Sequence, residues 1–288
     1  KLDARRVHLP KIGKVKLTET LRFSGKVLRG TVSREADRWF LSVSVELREQ
    51  GALRPRTGAG IAGVDLGLMK LATISSEDAT GRVTRESVEN PRPLQRRLKR
   101  LRRLSREHSR KVCGSENRRR SAQRLAKMHW RVKNARNDTL HKLTTCLCRE
   151  NQAVGIEDLN VRGMVKNRKL SRAIHDAAWG EFRRQMTYKA PLFGTLLFVA
   201  ARFYPSSKTC SVCSTVKGDL ALGDRVFCCP SCGNEIDRDD NAADNLRAKA
   251  RETTRGMRGS HACGEYGRPR GFGNPAVLVE AGSTETFS

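Results

Sequence analysis

Ile61-Ala62-Gly63-Val64-Asp65-Leu66-Gly67-Leu68, answered by Leu71-Ala72-Thr73-Ile74, is the stretch on which the fold turns. An apolar run ends in a carboxylate, turns at Gly67 and returns as a second apolar run, which reads as two β-strands. Working outward, Ala153-Val154-Gly155-Ile156-Glu157 is a short apolar strand that also ends in a carboxylate, and Leu196-Leu197-Phe198-Val199 is another. Residues 171–190 carry helical spacing, and an Ala-rich helix is expected from Asp239 to Arg251. Strands interleaved with helices give an α/β chain.

Before this core, residues 1 to about 50 read as β structure. Lys14-Val15-Lys16-Leu17 alternates cleanly and Trp39-Phe40-Leu41-Ser42-Val43-Ser44-Val45-Glu46 partly so. From Arg92 to Arg136 the chain holds eighteen Lys/Arg and two acids. Leu94, Leu98, Leu101 and Leu104 form one apolar helical stripe. After a break at Cys113-Gly114-Ser115, the run Leu125, Met128, Val132, Ala135, Leu140, Leu143 continues at helical spacing, so a basic helical hairpin is expected. Such a charge run is commonly a solvated face, but so many cations repel one another without a counter-anion. Phosphate contact is favoured, with Arg96, Arg97, Arg100, Arg103, Arg118, Arg119, Arg120, Lys127 and Arg131 as candidates. Trp130 could stack on a base or pack in a core, whereas Trp179 and Phe182, at i and i+3, read as packing groups.

The 288 residues carry a formal net charge of +27, from 57 Lys+Arg against 30 Asp+Glu. That excess points to a polyanion, because Lys and Arg gain affinity for phosphate by releasing condensed counterions. With a mean hydropathy of −0.58, no apolar run long enough to span a bilayer and no signal-peptide pattern, a cytoplasmic protein without a membrane partner is expected.

Five of the nine cysteines lie between Cys210 and Cys232, unlike a disulfide framework. Cys210-x2-Cys213, then fifteen residues, then Cys229-x2-Cys232 presents two knuckles of two thiolates each, the pattern of a structural zinc site. Cys228 could replace Cys229, although Cys229-Pro230-Ser231-Cys232-Gly233 has the better gap and a closing glycine. Cys113, Cys146, Cys148 and Cys263 read as unliganded thiols. Three separated acids, Asp65, Glu157 and Asp239, end two strands and open a helix. Hard oxygen ligands so placed suit Mg²⁺, but each acid alone could be a surface group, and Asp239 could simply cap its helix.

Gly63-Val64-Asp65-Leu66-Gly67-Leu68 resembles the first RuvC motif of the TnpB (OrfB) transposon-encoded nucleases. Ile156-Glu157-Asp158-Leu159-Asn160-Val161-Arg162-Gly163-Met164 is similar to their second. Phe203-Tyr204-Pro205-Ser206-Ser207-Lys208-Thr209-Cys210 resembles the entry to their zinc ribbon. Asp237-Arg238-Asp239-Asp240-Asn241-Ala242-Ala243 matches their third motif, and all stand in the family's order over roughly residues 7–250. The resemblance implies an RNase H-like (RuvC) mixed sheet with flanking helices, related to type V CRISPR effectors. It implies Asp65, Glu157 and Asp239 as catalytic ligands of two Mg²⁺ ions, structural zinc, and DNA cleavage under a guide RNA from the transposon end. Arg238 becomes a phosphate contact, with a surface ion pair as the alternative. The expected divisions are 1–58, a partial β-barrel wedge and connector; 59–204, the nuclease core including the hairpin 92–136; and 205–236, the ribbon. The last RuvC helix follows over 237–251, then a disordered tail over 252–288.

The chain starts inside the family pattern, with only the last part of the wedge expected over about Val7 to Glu46, so the resemblance implies a shortened relative in a prokaryotic, nucleoid-associated setting. Pro191 is expected to disturb the helix running toward Gly194. The competing readings are a nucleic-acid binder that does not cut and an accessory of transposition. A strand-joining transposase ranks behind both, because no tyrosine or serine nucleophile stands in a suitable context.

Overall fold

A computed structural model describes residues 2–3, 5–20, 25–46, 54–221 and 223–259. They form two compact units, one drawn from residues 2–46 and 99–131, the other from residues 54–98 and 132–259.

In the first unit, β1 (Leu2–Asp3), β2 (Arg6–Leu9) and β3 (Gly13–Lys16) make an antiparallel sheet. The strands β4 (Lys26–Glu35) and β5 (Arg38–Glu46) form a hairpin closed by a two-residue turn in which Ala36 takes φ 57°. Val43 and Val45 of β5 are buried, the inward half of a period-two pattern. Residues 99–131 belong to two helices, α1 (Pro93–Ser109) and α2 (Glu116–Glu150), joined through Gly114 at φ +78°. Ser115 starts α2 by accepting the Arg118 N–H at 3.2 Å. The sequence places the whole hairpin in the nuclease core over 59–204, but residues 99–131 group with the N-terminal strands instead. Side chains explain this: Lys127 meets Asp37 at 2.8 Å, and the Arg38 guanidinium lies 4.4 Å from the centre of the Trp130 ring.

In the second unit, β6 (Gly60–Leu66), β7 (Lys70–Glu77), β8 (Val83–Glu89), β9 (Asn151–Glu157) and β10 (Leu196–Ala200) form one sheet in the order β10-β9-β6-β7-β8. The pairs β6–β7 and β7–β8 are antiparallel, and β6–β9 and β9–β10 are parallel. The pleat sorts its residues. Val64, Val154 and Ile156 join a core with Leu140 of α2 and, across it, Phe182 and Met186. Those last two lie on α5 (Trp179–Phe193), which follows α3 (Val161–Met164) and α4 (Ser171–Ala177). The helix expected over 171–190 is broken at Ala178, whose φ of 54° caps α4 and begins α5. Pro191 leaves α5 intact to Phe193, contrary to expectation. It lies in the last turn, where Gly194 at φ 69° closes the helix onto the Ala190 and Pro191 carbonyls. Asp176, buried at the end of α4, accepts the Leu94 and Gln95 N–H groups at 2.9 and 3.0 Å and so caps α1.

On the opposite face lies α6 (Arg238–Gly259), after a short hairpin of β11 (Val226–Cys228) and β12 (Glu235–Asp237). The sheet meets it through paired glycines: Gly63 and Gly155 are register partners, and a methyl on either would strike the α6 backbone at Ala243 or Leu246. Farther along, Asp244 of α6 is 5% exposed and bonded to Ser75 at 2.5 Å, Arg85 at 2.7 Å and Arg247 at 3.2 Å. The helix continues to Gly259, beyond the end expected at Arg251. The Thr253 and Thr254 hydroxyls bond back to the Lys249 and Arg251 carbonyls at 3.1 and 2.7 Å, keeping two poor helix formers in register. The remainder of the expected tail, 260–288, and with it Cys263, lies outside the described residues.

Because backbone cannot yield as a side-chain tip can, Gly63→Ala is expected to destabilise the protein by about 3 kcal/mol, at the upper end for overpacking. Urea unfolding followed by circular dichroism reads this directly. Gly218→Ala, where a methyl meets nothing within 4 Å, should leave the midpoint in place.

Candidate metal centres and nucleic-acid surface

The β11–β12 hairpin and the loop before it bring four cysteines together. The sulfurs of Cys210, Cys213, Cys229 and Cys232 all lie within 4.8 Å of one another, with Cys210–Cys232 at 3.7 Å and Cys213–Cys229 at 3.5 Å. Disulfide sulfurs would stand about 2.05 Å apart. A tetrahedron of metal–sulfur bonds of about 2.3 Å places its sulfurs about 3.8 Å apart, so the set fits one tetrahedral metal ion. Each knuckle is a tight turn. Ser214 N–H bonds the Cys210 carbonyl at 2.9 Å and Gly233 N–H bonds the Cys229 carbonyl at 3.1 Å, with Ser214 and Gly233 both at positive φ. The choice between Cys228 and Cys229 falls to Cys229, since Cys228 is exposed and outside the group. Hydrogen bonding to Thr215 draws the Cys213 thiol down to about 6, whereas at Cys232 the pull of the Asn234 backbone is outweighed by the neighbouring Cys213 sulfur, burial and the other two sulfurs together, which push that thiol up to about 12. Cys113 is exposed, and burial pushes the Cys148 thiol up to about 12.

The acids are gathered by the sheet. Gly63 and Asp65 point to the α6 face of β6, as Gly155 and Glu157 do on β9. Val64 pairs with Ile156, so Asp65 and Glu157 come next to each other one residue farther on. The glycines seat α6 against both strands, and its first turn carries Asp239 toward their carboxyl ends. Burial first, then the charges of Glu157 and Asp239, push the Asp65 carboxyl well above the ordinary range, against the opposing Arg238. Burial likewise raises Glu157, opposed by the Ser206 hydroxyl, which donates to its Oε1, and by Arg238. Like charges gathered at low dielectric stabilise nothing by themselves.

Asp239 is a possible helix cap on its sequence position, but Asp237 does that work, accepting the Asp239 and Asp240 N–H groups at 2.9 and 3.3 Å. The sequence motifs do not single out Ser206, Asn241 or Asn245 for the roles the fold gives them. Asn245 donates to the Ser206 and Thr209 carbonyls at 2.8 and 2.7 Å, and Asn241 to the Thr209 carbonyl at 2.7 Å. Both tie the entry of the cysteine loop to α6 and hold Ser206 against Glu157. Two asparagines at i, i+4 in an otherwise Ala-rich helix are the available signal. With no cation added beyond any held by the cysteines, Asp65→Asn should raise thermal stability by roughly 1–2 kcal/mol, a few degrees. An unchanged or lowered melting temperature would count against mutual repulsion of the acids.

The cations expected to contact phosphate are mostly exposed, Arg96, Arg100 and Arg131 among them. Arg103 pairs with Glu107 at 3.5 Å, and Arg119 and Arg120 share Glu116 at 2.6 and 3.3 Å. Arg97 is half-buried, Arg118 donates to the Lys111 carbonyl at 2.9 Å, and Lys127 holds Asp37. Exposed pairs of this kind are worth about 0–1 kcal/mol, too little to withhold them from a phosphate. Arg238 donates to the Ala221 carbonyl at 3.1 Å and faces Asp65 and Glu157 with its charge. Among the described residues no helix is long and apolar enough to cross a membrane.

Two family models match the chain: a probable transposase of the OrfB_IS605 type over residues 42–168, and a Cas12f1-like TNB domain over residues 179–246. The chain is 44% identical over 241 residues to a provisionally named RNA-guided DNA endonuclease of Streptomyces pristinaespiralis, covering 83% of this chain and 55% of that protein. It is 31% identical over 289 residues to InsQ of Escherichia coli K12, provisionally named in the same terms, covering 93% and 67%. The chain thus spans about half the length of the first of these relatives. Among solved structures, a CRISPR-Cas12f ternary complex matches with a TM-score of 0.50 at 18% identity, over 73% of this chain and 42% of that one, a likeness of fold.

Proposed function

The chain belongs to the TnpB (OrfB) family, and from that premise we propose that it carries the cleavage centre of an RNA-guided DNA endonuclease of RuvC type. One observation supports the reading: strand register sets Asp65 beside Glu157, and the charges of Glu157 and Asp239 both act on the buried Asp65 carboxyl. In this reading the three acids hold Mg²⁺. Hard carboxylate oxygens, with the Asp65 and Glu157 carboxyls pushed up by burial, are the donor set such an ion fits. When bound, two such ions supply charge to the attacking and leaving oxygens of an in-line phosphodiester displacement.

The residues of the chain do the rest. Ser206 orients Glu157 through its hydroxyl, and Asn245 positions Ser206. Asp237 fixes the first turn of α6, and with it the backbone of Asp239. Arg238 offsets the acids' repulsion before the site is loaded. Residues 205–236 act as a zinc ribbon whose four ligand positions are filled by cysteine, so it serves structure and leaves no place for a water. The exposed cations of α1 and α2 contact the phosphates of DNA and of a guide RNA from the transposon end through charge, not through base edges.

The test is Mg²⁺-dependent cleavage of labelled single- and double-stranded DNA, with and without transposon-end RNA, beside an Asp65→Ala, Asp239→Ala double variant. Cleavage lost in the variant supports the nuclease, and RNA dependence supports guiding. Salt-sensitive binding with no cleavage in either protein would replace it with a nucleic-acid binder.

A further inference from the structure

Beside the acids lies a cavity of about 700 Å³ that shares one residue with them, Glu157. Part of its lining is apolar: Leu66, Leu159 and Val161 are half-buried and pack on a core that holds Ile156, Trp179 and Phe182. Its rim is cationic, with Arg162 from α3, Arg183 from α5 and Arg202 after β10. Asp158 draws two of these together, accepting from Arg183 and, at 3.1 Å, from Arg202. One carboxylate thus fixes two guanidiniums on a common point and leaves a positive surplus. Each guanidinium has five N–H donors, so the pairing does not exhaust them.

Two further features indicate an anion with an apolar part. The α5 helix begins at Trp179 with Ala178 in the left-handed region and no side-chain cap, and Gly180 of its first turn lines the cavity. The positive end of a fifteen-residue helix therefore borders the space. Independently, the indole Nε1 of Trp179, a residue that lines the cavity, is buried without any acceptor. A bare phosphate would use the rim and leave the apolar lining idle. A nucleotide uses both, and the volume lies within the range of pockets that hold such ligands.

We propose that this cavity seats one nucleotide of the strand being cut, its base on the Trp179 side and its phosphate against Arg183 and Arg202. The proposal rests on the nuclease reading and deepens it: the strand is gripped on the Glu157 side of the scissile phosphate by a subsite whose apolar lining accepts any base. Arg183 and Arg202 are substrate-positioning residues, and Asp158 aligns them.

The test uses the full 288-residue chain and DNA in which 2-aminopurine is scanned through the positions flanking the cut, with Ca²⁺ replacing Mg²⁺. Fluorescence should change at one position on one side of the cut. The change should fall with Trp179→Phe, which keeps the packing but removes the N–H, and be lost in Arg202→Ala, whose side chain is 52% exposed. In Mg²⁺, an abasic residue at that position and Arg202→Ala should each raise KM at least about fivefold while kcat changes less, the scale of losing one base contact. DNA binding and cleavage with no position responding overturns the subsite and leaves the nuclease reading standing. An unaltered chain that neither binds nor cuts overturns both.

Discussion

Asp65→Ala, Glu157→Ala and Asp239→Ala should each lower DNA cleavage on the order of 10³-fold or more, the rate equivalent of several kcal/mol of lost charge stabilisation. The three acids come from β6, β9 and α6 and share one field, so they should behave as a unit, with the triple variant scarcely slower than the worst single one. DNA binding measured without cleavage should survive, because the exposed cations of the helices are untouched. Asp240 provides the discriminating control. It directly follows Asp239 but is turned about 100° around the helix, toward the charges of Lys70 and Arg85. Asp240→Ala should therefore stay within about threefold of the parent. A loss at Asp240 equal to that at Asp239 would mean that the helix, not a ligand, had been damaged.

Removing the metal expected at the cysteines should unfold residues 205–236 outright. Among the described residues the local apolar core is Cys210, Leu220, Phe227 and Cys229 with Ile236 against it, too small to hold a loop of this length. Structural zinc in comparable modules contributes an apparent 10–16 kcal/mol or so, all of it folding free energy. Elemental analysis of the purified chain should give one zinc, retained in Cys228→Ser and lost in Cys229→Ser. Hydrogen exchange in the latter should rise across the loop. Since Asn241 and Asn245 tie that loop to α6, it should also rise at Ser206, and cleavage should fall with it. Retention of zinc by Cys229→Ser would sink the ligand assignment.

Much of this architecture is legible in the amino-acid sequence by itself. The strands around Asp65, Glu157 and Leu196 are local apolar runs bounded by turn residues, and their types follow from pattern alone. Two Cys-x2-Cys knuckles are equally local, because a tight turn and its ligands are one covalent segment. The basic hairpin and its break at Gly114 follow from stripe spacing and a residue that tolerates positive φ.

What the fold alone decided are matters of approach between distant segments. Gly63 and Gly155 look like ordinary strand residues until register pairs them beneath α6, where any Cβ would meet backbone. Cys228 and Cys229 are neighbours in the chain, but Cys228 ends β11 exposed while Cys229 opens the tight turn that brings its sulfur to the other three. Asp237 rather than Asp239 caps α6 because the helix begins one residue earlier than its motif suggests. Residues 99–131 group with the N-terminal strands through Asp37 and Arg38, contacts no helical period encodes. Periodicity reports which face of an element is apolar. Which element covers that face, and which polar groups meet there, is set by packing across some ninety to one hundred and eighty residues of chain, and that is tertiary structure's to determine.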